Sequence, residues 1–179
     1  VGDQKMRLLV QDQAGGGDDR LRLIFTCCHP ALSRDAQVAL TLRAVCGFST
    51  PEIARAFVTS EATVAQRIVR AQRKIASAGI PYRIPAAEDL AGRIDEVMAV
   101  LYLVFNEGHL TTRGTVAHER NLAEEALWLG ELLVGLLPGE AEPLGLVALM
   151  NLHLARADAR FDGDGRLVLL ADQNRALWD

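Results

Sequence analysis

Residues 48–76 read FSTPEIARAFVTSEATVAQRIVRAQRKIA, and the folding of this stretch decides how the rest of the chain is understood. Ser49 and Glu52 lie three residues apart with Pro51 between them, the pattern of a capping box that opens a short helix of about two turns, to Phe57. Ser60 is placed to cap a second helix, with Glu61 at its positive end. At about 100° per residue, Val64, Ile68, Ala71 and Ile75 share one narrow sector of that second helix and must face a core. Ala62, Thr63, Gln66, Val69, Arg70 and Arg73 fall on the opposite side, with Arg67 and Lys74 on its flank. An isolated arginine-rich helix is usually only a solvated face. Preceded by a capped short helix across a three-residue turn, it reads as the second helix of a helix-turn-helix that enters a DNA major groove.

The charge of the chain is divided in a way that fits this reading. Its 179 residues carry a formal net charge of -4, yet residues 1–83 hold 12 Lys and Arg against 7 Asp and Glu, a balance of +5. Residues 84–179 hold 7 against 16, a balance of -9. A basic half suits a polyanion and an acidic half does not. The seam, GIPYRIPAAEDL, contains Gly79, Pro81 and Pro85, which interrupt any helix and read as a linker.

Half of the residues are hydrophobic, enough for one good core or two small ones. The longest uninterrupted apolar run, Val97–Phe105, falls far below the roughly 18 residues of a membrane span, and the opening VGDQKMRLLVQDQ lacks the apolar core of a signal peptide. Three cysteines, Cys27, Cys28 and Cys46, make no disulfide framework. No membrane partner and a cytoplasmic location are expected. The start on Val and the stop at NRALWD suggest a piece of a longer protein.

Helical periodicity dominates, so an all-α fold is predicted. The expected helices are Asp18–Cys27; Ser33-capped to about Cys46, with Val38, Leu42 and Val45 on one face and Gly47 as its stop; the two helices above; and Glu88–Asn106, Val116–Leu137 and Leu144–Ala157, broken at Gly108 and at Pro138-Gly139. The tail ARFDGDGRLVLL suggests a tight turn with a short strand pair.

Three other motifs invite chemistry. In CCHP, adjacent Cys27 and Cys28 cannot easily both reach one tetrahedral ion and no second ligand pair follows, so small buried cysteines beside a capping His29 are expected. In DGDG, taking Asp162 as a first calcium ligand puts Leu167 where glycine is needed, which leaves a plain turn. Glu107 and His109 in FNEGHL have no nucleophile, second carboxylate or phosphate loop beside them and read as a helix-ending turn. No catalytic residue, metal or cofactor is expected, and the chain does not read as an enzyme.

The stretch STPEIARAFVTSEATVAQRIVRAQRKI resembles region 4 of the bacterial sigma-70 family, through Glu52-Ile53-Ala54, Ser60-Glu61 with Thr63-Val64, and Arg67 with Arg70-Ala71. SRDAQVALTLRAVCGFS is similar to the helix that precedes these hallmarks. DDRLRLIFTCCHPAL resembles the lead-in of one group of extracytoplasmic-function sigma factors that carry a C-terminal extension, and VLYLVFNEGH with LGLVALMNLHLARADARFDGDGRLVLLADQNRALWD resembles that extension. The resemblance implies residues 1–17 as a linker from an absent region 2, 18–78 as region 4, 79–87 as a linker and 88–179 as an incomplete, tetratricopeptide-like regulatory extension. It implies transcription initiation: docking on the β-subunit flap of RNA polymerase core and recognition of the minus-35 element of double-stranded promoter DNA. Carried over by position, Gln66 and Arg70 would contact base edges, Arg67 and Arg73 phosphates or flanking bases, and Ser60 and Thr63 the backbone, with Lys74 a flanking cation. Two positions depart from the family: Ala65 stands where a basic residue is common, and Val58 where the turn usually has glycine. A β-branched residue resists positive φ, so a reshaped turn is expected.

The acidic half would either brace region 4, touch polymerase, or cover the basic helix until displaced. The alternative to a sigma factor is a stand-alone helix-turn-helix regulator whose helical domain senses a ligand or dimerises.

Overall fold

The computed structural model describes residues 16–111, 122–164 and 166–179. Seven α-helices account for most of them: α1 Gly16–Cys27, α2 Arg34–Ala44, α3 Thr50–Ala56, α4 Glu61–Ser77, α5 Ala87–Thr111, α6 Leu122–Leu136 and α7 Ala141–Leu154. Single 3-10 turns follow at Ala157–Ala159, Leu170–Asp172 and Arg175–Leu177. The expected strand pair shrinks to one antiparallel bridge, Phe161 with Leu167. Asp162 Oδ1 accepts the backbone N–H groups of Asp164 (3.0 Å) and Arg166 (2.7 Å) and so holds the turn.

Helix ends follow their local chemistry. Ser49 and Glu52 close the capping box of α3 in both directions, Gly47 adopts φ +72 after α2, and Gly139 adopts φ +101 between α6 and α7. Ser33 has the extended backbone of an N-cap without a side-chain bond to the helix. α7 starts three residues before Leu144, because Pro143 in a first turn forfeits no intrahelical hydrogen bond. The predicted start of α6 at Val116 lies outside the described residues.

Gly108 corrects the sequence reading. Rather than ending a helix, it sits inside α5, which runs on to Thr111, so FNEGHL is helical and not a terminating turn. A β-carbon at Gly108 would lie 2.3 Å from the Ala123 nitrogen and 2.8 Å from the Leu122 β-carbon. Glycine is required there because the first turn of α6 rests directly on α5.

The two halves of the charge map bury one continuous core. Phe25, Leu40, Leu42, Ile53 and Val64 from the basic half and Val97, Leu101, Phe105, Leu129, Leu133 and Met150 from the acidic half belong to the same cluster. α2 lies at its centre: instead of one apolar face, every position from Ala36 to Leu42 is buried, since α4 covers one side and α5 another. Gln37 is buried with them because its amide donates to His29 O (2.9 Å) and Glu96 Oε2 (3.3 Å) and accepts from Arg34 Nη1 (2.8 Å).

Polar contacts cross the same boundary. Arg34 forms an ion pair with Glu96 at 3.0 Å and donates to the Glu96 carbonyl at 3.0 Å. The Arg93 guanidinium donates to Phe25 O while lying over the Phe25 ring, and Arg20 lies 5.4 Å over Trp128. Residues 79–86 carry no helix, yet the Tyr82 hydroxyl donates to Asp19 O at 2.7 Å and fixes the connection against α1.

Candidate nucleic-acid interface

α3, the four residues 57–60 and α4 build the helix-turn-helix. α3 ends in a Schellman motif: Thr59 N donates to Ala54 O (2.9 Å) and Val58 N to Arg55 O (3.2 Å). This motif needs a left-handed residue, and Val58 supplies it at φ +46, with its side chain 90% exposed. The turn therefore keeps the geometry that glycine would favour and accepts the strain, where the sequence suggested reshaping. α4 ends in the same motif, with Ile80 N to Ile75 O at 3.0 Å, and there the left-handed residue is Gly79 at φ +61.

Ser60 then starts α4. Its hydroxyl accepts from Thr63 N at 3.1 Å and bonds the Thr63 hydroxyl at 2.8 Å, so both side chains are already engaged in the cap. Val64, Ile68 and Ala71 are buried and Ile75 is half-buried, as the wheel requires. On the other side Ala62, Gln66, Val69 and Arg73 form a row at i, i+4, i+7 and i+11 that rises about 16 Å, or about five base pairs. All four are exposed. Beside it runs a second row, Thr63, Arg67, Arg70 and Lys74.

Of the residues named as candidate contacts, Ser60 and Thr63 form the cap, and Gln66, Arg70, Arg73 and Lys74 are exposed along α4. Arg67 differs. It is half-buried and its Nη2 pairs with Asp35 Oδ2 of α2 at 2.8 Å. Asp35 stands 32 positions away in sequence, and no spacing rule links the two. Val69, 42% exposed amid polar neighbours, completes the outward row as an apolar contact surface.

The acidic helices do not cover this face. α5 packs against α1, α2 and α3, and α6 against α1. Among the described residues the acidic half leaves Gln66, Arg70, Arg73 and Lys74 exposed.

Away from this face, burial shifts several cysteines and histidines. Burial pushes the Cys28 thiol up to about 12 and raises Cys27 as well, with Cys28 Sγ 3.5 Å from Thr41 Oγ1. His29 Nδ1 accepts from Ala31 N at 3.1 Å and so caps the turn after α1. At the junction of α5 and α7, the His109 ring stacks on Phe105 (5.4 Å) and meets the His153 ring edge-on (5.0 Å). Burial, then the positive Arg160, lowers His109 from its ordinary value near 6.5 to about 4, which makes it a poor base at neutral pH. Among the described residues no group of three His, Cys, Asp or Glu side chains could hold a metal ion, and no helix is long and apolar enough to cross a membrane.

Comparison with known proteins agrees with this geometry. Residues 22–75 match the family described as Sigma-70, region 4. They are a sigma-70 region 4 domain. Residues 93–179 match a family of unknown function, DUF6596, so region 4 is followed by a helical extension. An uncharacterized protein of Rhizobium meliloti (strain 1021) is 49% identical over 167 residues, which is 93% of this chain. The chain spans 40% of that relative's length. No solved structure matches.

Proposed function

We propose that this chain is the promoter-reading part of a larger extracytoplasmic-function sigma factor, in which α4 enters the major groove of the minus-35 element and region 4 docks on the β flap of RNA polymerase core in the cytoplasm. The observation that carries the proposal is the two-sided construction of α4. Its inner face is locked into the core by Val64, Ile68 and Ala71, while Gln66, Arg70, Arg73 and Lys74 stand exposed on a capped, fixed helix. An amide and guanidinium groups can form paired hydrogen bonds with purine edges, and flanking cations neutralise phosphates. The work is recognition, not catalysis.

The extension acts as a brace in this reading. Its ion pair from Glu96 to Arg34 and its share of the core orient α2, on which α4 rests. Preorganisation of this kind lowers the ordering cost of binding without touching DNA.

The test is selection of duplexes from a random pool by the chain and by Arg70→Ala, together with retention of both proteins on the isolated β flap. The expected result is one enriched non-palindromic motif for the wild type, bound at least about tenfold more weakly by Arg70→Ala, with equal retention on the flap. A stable dimer that enriches a palindrome and ignores the flap would point to a stand-alone regulator instead.

A further inference from the structure

Resting on the reading of α4 as a DNA-binding helix, we infer that Asp35 of α2 is a positioning residue that withholds Arg67 from the DNA backbone, so that the affinity of the interface is set partly from outside the reading helix. In the row Thr63, Arg67, Arg70, Lys74, Arg70 lies next to the outward row, while Arg67 and Lys74 stand on the flank of α4, where a helix lying in a groove meets phosphates. The row's three cations are not equivalent. Arg70 and Lys74 are exposed and make no ion pair among the described residues. Arg67 is turned back toward α2 by its 2.8 Å contact with Asp35.

The surroundings of Asp35 make this contact specific. Its neighbour Arg34 is already committed to Glu96 and Gln37, so Arg34 does not compete for the Asp35 carboxylate. Asp35 lies in the first turn of α2, where the helix dipole favours a negative charge whether or not Arg67 is present. The pair is also half in water, with side chains 37% and 65% exposed, and is therefore weak and screened. A DNA phosphate offers Arg67 a comparable charged acceptor whose neutralisation also releases condensed counterions, but taking it requires breaking the pair. Wild-type binding consequently recovers only part of what a free Arg67 would contribute.

The experiment is a fluorescence-anisotropy titration of a labelled duplex carrying the motif enriched by selection across a salt series, with wild type, Asp35→Asn, Arg67→Ala, the double variant and Arg70→Ala. Asp35→Asn keeps the shape of an exposed side chain, and Asp35→Ser, a good residue at a helix start, serves as a second version should the first disturb α2. Asp35→Asn is expected to bind about two- to fivefold tighter near physiological salt, with a log-log salt slope steeper by about 0.9, the signature of one additional phosphate contact. Arg67→Ala changes affinity less than about twofold, and the double variant matches Arg67→Ala.

A weaker Asp35→Asn would mean that Asp35 aims Arg67 at DNA productively and would overturn the inference. So would a gain that persists in the double variant, because the benefit would then come from removing a negative charge near the phosphates and not from releasing Arg67. If Arg70→Ala weakens binding while both Asp35 variants match the wild type in affinity and slope, the inference fails alone. If Arg70→Ala is indistinguishable from wild type, the reading of α4 fails and takes the inference with it.

Discussion

At Val58 a single backbone angle carries a measurable cost. A β-branched residue at φ +46 is strained by about 1–3 kcal/mol, and its 90% exposed side chain recovers little by packing. Gly79 does the same job at the end of α4 without that penalty. Val58→Gly is therefore expected to raise stability by about 1 kcal/mol, less than the full strain because glycine loses more conformational entropy on folding. Chemical denaturation checks this, and an unchanged or lower midpoint would show that the turn tolerates valine. The resemblance singled this position out as one where glycine is usual, but the reshaped turn expected from valine did not form, because the Schellman bonds hold the left-handed angle. The Asp35–Arg67 pair was not legible in the sequence. Its partners meet only because α2 packs along α4, a fact of tertiary geometry that spacing within either helix does not encode.

Among the elements, the capping box of α3, the Ser60 cap and the inward stripe of α4 were readable because each depends on residues within one or two turns of each other. α5 was misread at Gly108 for the complementary reason. Glycine within a helical pattern signals either a stop or a close neighbour, and only the approach of Ala123 distinguishes them. Gly108→Ala supplies the test. Its β-carbon would collide with backbone atoms of α6, which cannot move aside like a flexible side chain. A loss of about 2–4 kcal/mol is expected, more than ordinary overpacking because backbone must shift. Were Gly108 merely a helix breaker, alanine would instead stabilise α5 by about 1 kcal/mol. Thermal and denaturant unfolding report the sign directly.

For the whole molecule, the charge map suggested two separable halves, but the halves share a core. The apolar residues of α2 point both ways because the helix is sandwiched between α4 and α5. That arrangement makes the α5–α7 junction a stability determinant for region 4. His109, His153 and His29 are all lowered below their ordinary value, primarily by burial. The unfolded chain therefore binds protons that the folded chain does not, and stability falls as pH drops below about 6.5, through a window that for His109 extends to about 4. The melting temperature is expected to decline from pH 7.5 to pH 5, with a flatter decline in His109→Gln. An identical profile in the variant would remove His109 from the account.

The central claim is that DNA meets the outward face of α4 while the acidic helices stay clear of it. Amide hydrogen exchange of the full chain, with and without a duplex enriched by selection, tests it most directly. Added protection confined to residues 60–74 and the preceding turn is the predicted result. Protection concentrated on α5–α7, with α4 unchanged, would contradict it.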